Sequence, residues 1–146
     1  RGVVEVGAHD GELALLVPGA PEHRARRLTD WLKLEAQKDL ERRVRVHSAR
    51  LGVTVTSISM RSQSTRWGSC SSKGGLSFPW RLVLAPHDVL DYVVVHEVCH
   101  LRELHHGPAF WKLLEERRPG YRDSKRWLDE HGWELLAYRP PLEPAA

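Results

Sequence analysis

Apolar residues recur along the first third of the chain in two different patterns. Two apolar-rich runs flank an Asp10-Gly11 turn and predict an N-terminal hairpin. From Pro21 onward, apolar residues recur at spacings that share one face of a helix, and Gly52 is a suitable stop. The residues on this face are Leu28, Trp31, Leu32, Leu40 and Val44. The first fifty residues therefore predict a hairpin followed by one long helix.

The middle of the chain is rich in strand-forming residues. The run Val53 to Met60 predicts a strand whose alternation shifts near Ser57, which indicates a bulge. The run Leu76 to Leu84 also alternates, but Pro79 cannot donate to a ladder and marks an edge or a bulge. The turn-forming segment Ser71 to Gly75 precedes the second run. A second hairpin is therefore predicted here.

Three helices are predicted in the last third. One begins after Pro86, a second begins at Pro108, where proline occupies the favoured first position, and a third covers Asp123 to Gly132. The order of hairpin, helix, strands and helices predicts an α+β fold, in which a small antiparallel or mixed sheet packs on helices. We expect a single domain over residues 1–140 and a frayed tail at 141–146.

Composition narrows the class of protein. The 146 residues are 28% charged and 41% apolar, as in a globular domain with a core. We expect no membrane span and no secretion signal, and two free cysteines favour a cytoplasmic location. The net charge of +3 and arginine clusters at 24–27 and 42–45 permit contact with nucleic acid without demanding it. A solvated helix face is the favoured explanation of the arginines.

The segment that follows three valines contains ionisable groups that are costly to bury without partners. His96, Glu97 and His100 match the pattern H-E-x-x-H. On a helix, residues four apart lie on one face, so that both imidazoles can reach one ion at about 2.0–2.1 Å. On a strand they would lie roughly 13 Å apart. Glu97 can contact a metal-bound water without ligating the metal, as a zinc-dependent hydrolase requires.

The third metal ligand has several candidates. A straight helix would carry His106 nearly three turns beyond His96, so the chain must bend near Gly107-Pro108. His106 has the offset of the third ligand in H-E-x-x-H-x-x-G-x-x-H proteases, although Glu103 replaces their glycine. We favour His106. The alternatives are His105, and Glu115 or Glu116 on the next helix.

Three stretches together resemble a known family: RWGSC at 66–70, WRLVLAP at 80–86, and VVVHEVCHL at 93–101 with HHGPAFW after it. They resemble the YgjP-like family of metallopeptidases, relatives of SprT-like and minigluzincin-type zincins. The resemblance implies a zincin-like domain with one zinc ion per chain, held by His96, His100 and His106. It implies Glu97 as the general base and a polypeptide as the substrate.

Other residues are candidates for supporting roles. Tyr121 is a candidate donor to the developing oxyanion, with packing at a helix start as the alternative. Trp67 and Gly68 are candidates for a substrate groove at a strand edge, with core packing of Trp67 as the alternative. Cys70 can approach the metal or pack as a small buried residue, and we expect Cys99 to pack.

Two alternative functions remain at this point. The first is a nucleic-acid-associated module that contains a structural zinc. The resemblance to SprT-like proteins adds a related possibility, a protease that acts on DNA-linked protein. Glu97 argues against a structural zinc, because such a site closes with four protein ligands. The second alternative is a hydrolase of a non-peptide amide.

Overall fold

The structure, a computed structural model, describes residues 5–9, 12–16, 21–62 and 66–139. The strands β1 (Glu5–His9) and β2 (Glu12–Leu16) pair antiparallel, which confirms the predicted strands on either side of the Asp10-Gly11 turn. The predicted tail at 141–146 lies outside the described residues. Among the described residues, none of the helices combines the length and apolar character that crossing a membrane requires.

Helix α1 (Pro21–Leu51) has the predicted length and ends at Gly52, which has a φ of 74°. A left-handed residue after a helix suits glycine, because a side chain there is strained. The predicted apolar face packs inward: Leu32, Leu40 and Val44 are buried, while Leu28 and Trp31 are half-buried against the core.

The second sheet differs from the predicted hairpin. Its strands are β3 (Ser57–Arg61), β4 (Ser69–Cys70) and β5 (Gly75–Pro79), in the order β3-β5-β4. β3 and β5 run parallel, and β4 pairs antiparallel with β5. The predicted hairpin at Ser71–Gly75 is present, but its first strand is the short β4; the prediction was wrong for the two long runs, because β3 pairs with β5 in parallel. The Ser71–Gly75 turn joins β4 to β5, and the amide of Ser71 donates to the carbonyl of Gly75 at 2.8 Å.

Two predicted strand boundaries were also wrong. β3 begins at Ser57, where the alternation shifts, rather than at Val53. β5 ends at Pro79, and Trp80–Leu84 form a 3-10 helix instead of continuing the strand. Proline cannot donate to the ladder, so pairing stops there. β5 is nevertheless the central strand, and β3 and β4 form the two edges of this sheet.

The last three helices are α2 (His87–Cys99), α3 (Pro108–Arg117) and α4 (Tyr121–Ala137). They confirm the predicted helices, and α4 extends beyond the predicted range at both ends. α2 lies at the centre of the domain and contacts α1, α3, α4 and β4. Its three consecutive valines, 93–95, are therefore all buried. The observed fold is α+β, with a small mixed sheet beside four helices.

Candidate active site

The two histidines and the glutamate of the motif lie at the C-terminal end of α2. His100 is the residue at which this helix ends, and the chain then turns through Leu101 and Arg102 before α3 begins. Gly107 precedes α3 and Pro108 occupies its first turn, as expected. The turn brings His106 back over the end of α2. The bend therefore begins before the glycine-proline pair and is not confined to it.

Three imidazoles meet at this turn. The Nε2 atom of His106 lies 3.1 Å from Nε2 of His96 and 2.8 Å from Nε2 of His100. Among the described residues, these three form the group of histidine, cysteine and acidic side chains that can hold a metal ion, with ligand atoms all within 4.8 Å of one another. The structure thus brings His106 to His96 and His100, and does not bring His105, Glu115 or Glu116 into this group.

The hydrogen bonds behind the imidazoles determine which nitrogen faces the centre. The Nδ1 atom of His100 is 3.0 Å from the carbonyl oxygen of Glu103, which can only accept, so Nδ1 carries the proton. The hydroxyl of Tyr92 lies 3.4 Å from Nδ1 of His96 and can accept in the same way. The Nε2 lone pairs of both rings then point at His106. A single N–H group on His106 cannot donate a hydrogen bond to both lone pairs. The space between the three Nε2 atoms therefore suits a cation.

The histidine group fits a zinc ion in chemistry and size. Zinc bound tetrahedrally at about 2.0–2.1 Å from each nitrogen separates its ligand atoms by about 3.3 Å, close to the observed 2.8 and 3.1 Å. Burial, and then the neighbouring imidazoles, lower the pKa of His96 to about 3. Burial also lowers the pKa of His100. Neutral imidazole is the form that binds a metal.

Aromatic side chains fix the positions of the imidazoles. Phe110 is fully buried and stacks on His100, with ring centroids 4.3 Å apart, and it meets His96 edge-on at 4.9 Å. Trp111 stacks on His106, and its indole N–H donates to the backbone carbonyl of that residue at 3.2 Å. Sequence reasoning did not include Phe110 or Trp111 among the site residues. It missed Tyr92, although its position four residues before His96 is a visible signal.

The histidines and Glu97 line one cavity of about 440 Å³. Arg66, Trp67, Gly68 and Cys70 form one side of it, and residues of α4 form another. Glu97 is only 6% exposed. Burial raises the pKa of Glu97 to about 7, although the positive charges of Arg61 and Arg66 act in the opposite direction. A buried carboxyl beside a metal-binding group, in a cavity of substrate size, is typical of hydrolytic sites.

The remaining predicted residues fall in different places. Trp67 and Gly68 line the cavity, as does Cys70, whose thiol pKa burial raises to about 11. Tyr121 does not line it: this residue is buried, stacked on Tyr92 and Trp111, and borders a neighbouring cleft. Cys99 is fully buried, as expected.

The second arginine cluster is partly neutralised. Arg42 and Arg43 both form ion pairs with Asp39, and Arg43 also contacts Asp91. Much of its positive charge is therefore compensated within the domain. These ion pairs fit the solvated helix face that the sequence analysis favoured over contact with nucleic acid.

Comparisons with known proteins identify the family and support the fold. Residues 3–131 match the model of the YgjP-like metallopeptidase domain. The fold is similar to the crystal structure of the metallopeptidase zymogen of Pyrococcus abyssi abylysin, with a TM-score of 0.55 and 22% identity, over 66% of this chain and 94% of that one. A segment of 50 residues, 32% of this chain, is 38% identical to UTP pyrophosphatase of Escherichia coli (strain K12) and spans 30% of that protein. The match over most of its length shows that the chain belongs to the YgjP-like metallopeptidase family and is a metal-dependent hydrolase.

Proposed function

We propose that the protein is a zinc metallopeptidase that hydrolyses peptide bonds, with His96, His100 and His106 as metal ligands and Glu97 as the general base. The observation that supports this proposal most directly is the convergence of the three Nε2 atoms in a cavity that Glu97 also lines. Three protein ligands leave a position for water and substrate, as in catalytic zinc sites and unlike closed structural ones.

The protein side chains have distinct tasks in this mechanism. A zinc ion held by His96, His100 and His106 would act as a Lewis acid, lowering the pKa of a water molecule and polarising the scissile carbonyl group. Glu97 accepts the proton of the attacking water and then transfers it to the leaving amine. The carbonyl of Glu103 and the hydroxyl of Tyr92 hold His100 and His96 with their Nε2 atoms toward the centre. Phe110 keeps water away from the buried side of the imidazoles.

The substitution Glu97→Gln tests this proposal, with zinc content and hydrolysis of a quenched fluorescent peptide library as readouts. The variant should retain about one zinc per chain and lose hydrolysis by about 10²- to 10⁴-fold, because glutamine cannot accept the proton. His96→Ala should lose zinc as well as activity. Peptide hydrolysis by Glu97→Gln at the wild-type rate contradicts the role of Glu97.

A second candidate function is the hydrolysis of a nucleoside triphosphate. The similarity to UTP pyrophosphatase over 50 residues favours it, and Arg66 and Lys125 place two positive charges in the lining of the cavity. Incubation of the zinc-loaded protein with UTP, with release of phosphate and pyrophosphate as readouts, separates the two candidates. The protein is a nucleotide hydrolase, and not a peptidase, if the wild type releases phosphate or pyrophosphate from UTP, cleaves no peptide, and loses the release in Glu97→Gln.

A further inference from the structure

Two glycines bring the RWG segment, residues 66–68, into unusually close contact with its neighbours. A Cβ atom built on Gly68 would lie 2.7 Å from Cγ and 2.8 Å from Oε2 of Glu97. A Cβ atom on Gly132 would lie 3.2 Å from both Cε2 and Cη2 of Trp67, and closer still to Cζ2. Because carbon atoms attract best at about 3.5–4.0 Å, neither position has room for a side chain.

Neither glycine is required by its backbone conformation. In the described residues, the glycines with positive φ are Gly52, Gly74 and Gly120. Gly132 lies inside α4, where glycine is the least favourable residue after proline. The indole ring of Trp67 explains it, because the ring occupies the space of a side chain and, being rigid, cannot yield. At Gly68 the nearest atoms belong to the end of the Glu97 side chain, so a side chain at this position would push the carboxylate out of place.

The two contacts are linked by one peptide bond. The Trp67 ring, seated on Gly132, attaches the RWG segment to α4, and the next residue places its backbone on Glu97 of α2. β4 begins directly afterward with Ser69 and contacts α2, but it is only two residues long and pairs on one side. So short a strand cannot hold the segment firmly by itself, and the Trp67–Gly132 contact supplies the second attachment.

We propose that Trp67, Gly68 and Gly132 act as a clamp that positions the Glu97 carboxylate toward the histidine group. This inference rests on the proposed role of Glu97 as the base. In the clamp, Trp67 and Gly132 are positioning residues: they act through Gly68, which covers the carboxylate and leaves Glu97 little freedom to rotate away from the cavity. Trp67 thereby has a defined role other than contact with a substrate chain.

The test compares Gly132→Ala with Glu130→Ala, an exposed control in the same helix. The added methyl displaces the indole, so hydrogen exchange of amides 66–70 should rise while zinc content stays at the wild-type level. The kcat of the folded, zinc-loaded variant should fall by about 10- to 100-fold with KM little changed, as expected for a catalytic group misplaced by about 1 Å. Glu130→Ala should match wild type in exchange, zinc and kcat.

The double variant Trp67→Phe/Gly132→Ala tests whether the two residues act through the same contact. Phenylalanine lacks the Cζ2 and Cη2 edge, so Gly132→Ala should add little to the effects of Trp67→Phe. The clamp is refuted if the two substitutions change exchange and kcat independently of each other. It is also refuted if Gly132→Ala retains wild-type exchange and kcat. If Gly132→Ala does not fold, the test rests on Trp67→Phe, which should raise exchange at 66–70 and lower kcat. Wild-type exchange and kcat in Trp67→Phe then refute the clamp.

The two proposals fail in different ways. If wild-type protein hydrolyses neither peptides nor UTP, the proposed function fails and the positioning role fails with it, while the exchange at 66–70 still decides whether Trp67 and Gly132 attach the segment to α4. If wild-type protein is active and Gly132→Ala raises exchange without lowering kcat, the contact is merely structural and the positioning role is refuted.

Discussion

Replacement of Asp91 by asparagine tests the attachment of α2 to its neighbours. One carboxylate oxygen of Asp91 lies 2.9 Å from Nε2 of His47 and 3.1 Å from Nη1 of Arg43, both on α1. The other oxygen lies 3.6 Å from Nε of Arg118, just after α3. These side chains are 14–26% exposed. Asp91 lies on α2, the helix that carries the histidines, and therefore links it to α1 and to the residue just after α3.

The expected cost of Asp91→Asn follows from these contacts. A hydrogen bond to a charged group contributes about 1.5–3 kcal/mol, and asparagine keeps one neutral acceptor. Arg43 also retains Asp39, whose Oδ1 is 3.1 Å from its Nε. We therefore expect the free energy of unfolding to fall by about 2–3 kcal/mol, less than the 3–5 kcal/mol of a fully buried broken pair. Urea unfolding in the presence of a chelator measures this without a contribution from metal binding.

Asp88→Asn is the matched control. Asp88 lies on the same helix and contacts the same arginine at 3.5 Å, but its side chain is 91% exposed. Exposed pairs contribute about 0–1 kcal/mol, so this variant should lie within about 0.5 kcal/mol of wild type. Equal effects of the two substitutions would refute the reasoning from burial.

The dependence on pH gives a second check of the same network. Burial by itself raises the pKa of Asp91, but the hydrogen bond and charge of His47, with Arg43 and Arg118, outweigh it and hold the pKa below the ordinary 3.8. A lowered pKa means that the stabilisation is fully present above pH 3.8 and is lost as the pH falls through the folded-state pKa. The difference between wild type and Asp91→Asn should persist at pH 5 and shrink below pH 3.8. A difference that grows on acidification contradicts the assignment.

Two further predictions concern the histidine group. His106→Ala should abolish tight zinc binding while His105→Ala retains about one zinc per chain, and metal analysis that finds the reverse would move the third ligand to His105. Phe110→Ala should lower the free energy of unfolding by about 3–5 kcal/mol through the cavity it leaves, and should weaken zinc binding, while Phe110→Leu loses less of both. Unchanged zinc affinity in a folded Phe110→Ala variant would show that the ring does not hold the imidazoles.

Local regularities made the helices and the motif predictable. The apolar face of α1, the prolines at 86 and 108, and the four-residue spacing of His96 and His100 are all signals within one helical turn or at one helix end. The bend that returns His106 was predictable too, because a straight helix excludes its approach to His96. These parts of the fold and of the candidate site depend on residues close together in sequence.

The sheet was harder to predict because its pairing is non-local. The runs 53–60 and 76–84 both alternate, but alternation does not distinguish a parallel from an antiparallel partner. The choice depends on β4, a two-residue strand too short to leave a periodic pattern. The 3-10 helix at Trp80–Leu84 likewise buries Trp80 and Leu82, which in the sequence resemble one face of a continuing strand.

The contact between Trp67 and Gly132 shows where sequence reasoning reaches its limit. A glycine inside an amphipathic helix signals that something approaches the backbone closely, but the sequence placed Gly132 at the end of the predicted helix, and only the structure extends this helix to Ala137. The residue that approaches it was not predictable either, because Trp67 lies between β3 and β4 while the glycine lies in the last helix. The motif around Glu97 identifies the chemical group, but the residues that hold this group in place come from elements that only the fold brings together. Substitutions at such positions should therefore alter activity without touching a metal ligand, and the response of kcat to Gly132→Ala measures that dependence directly.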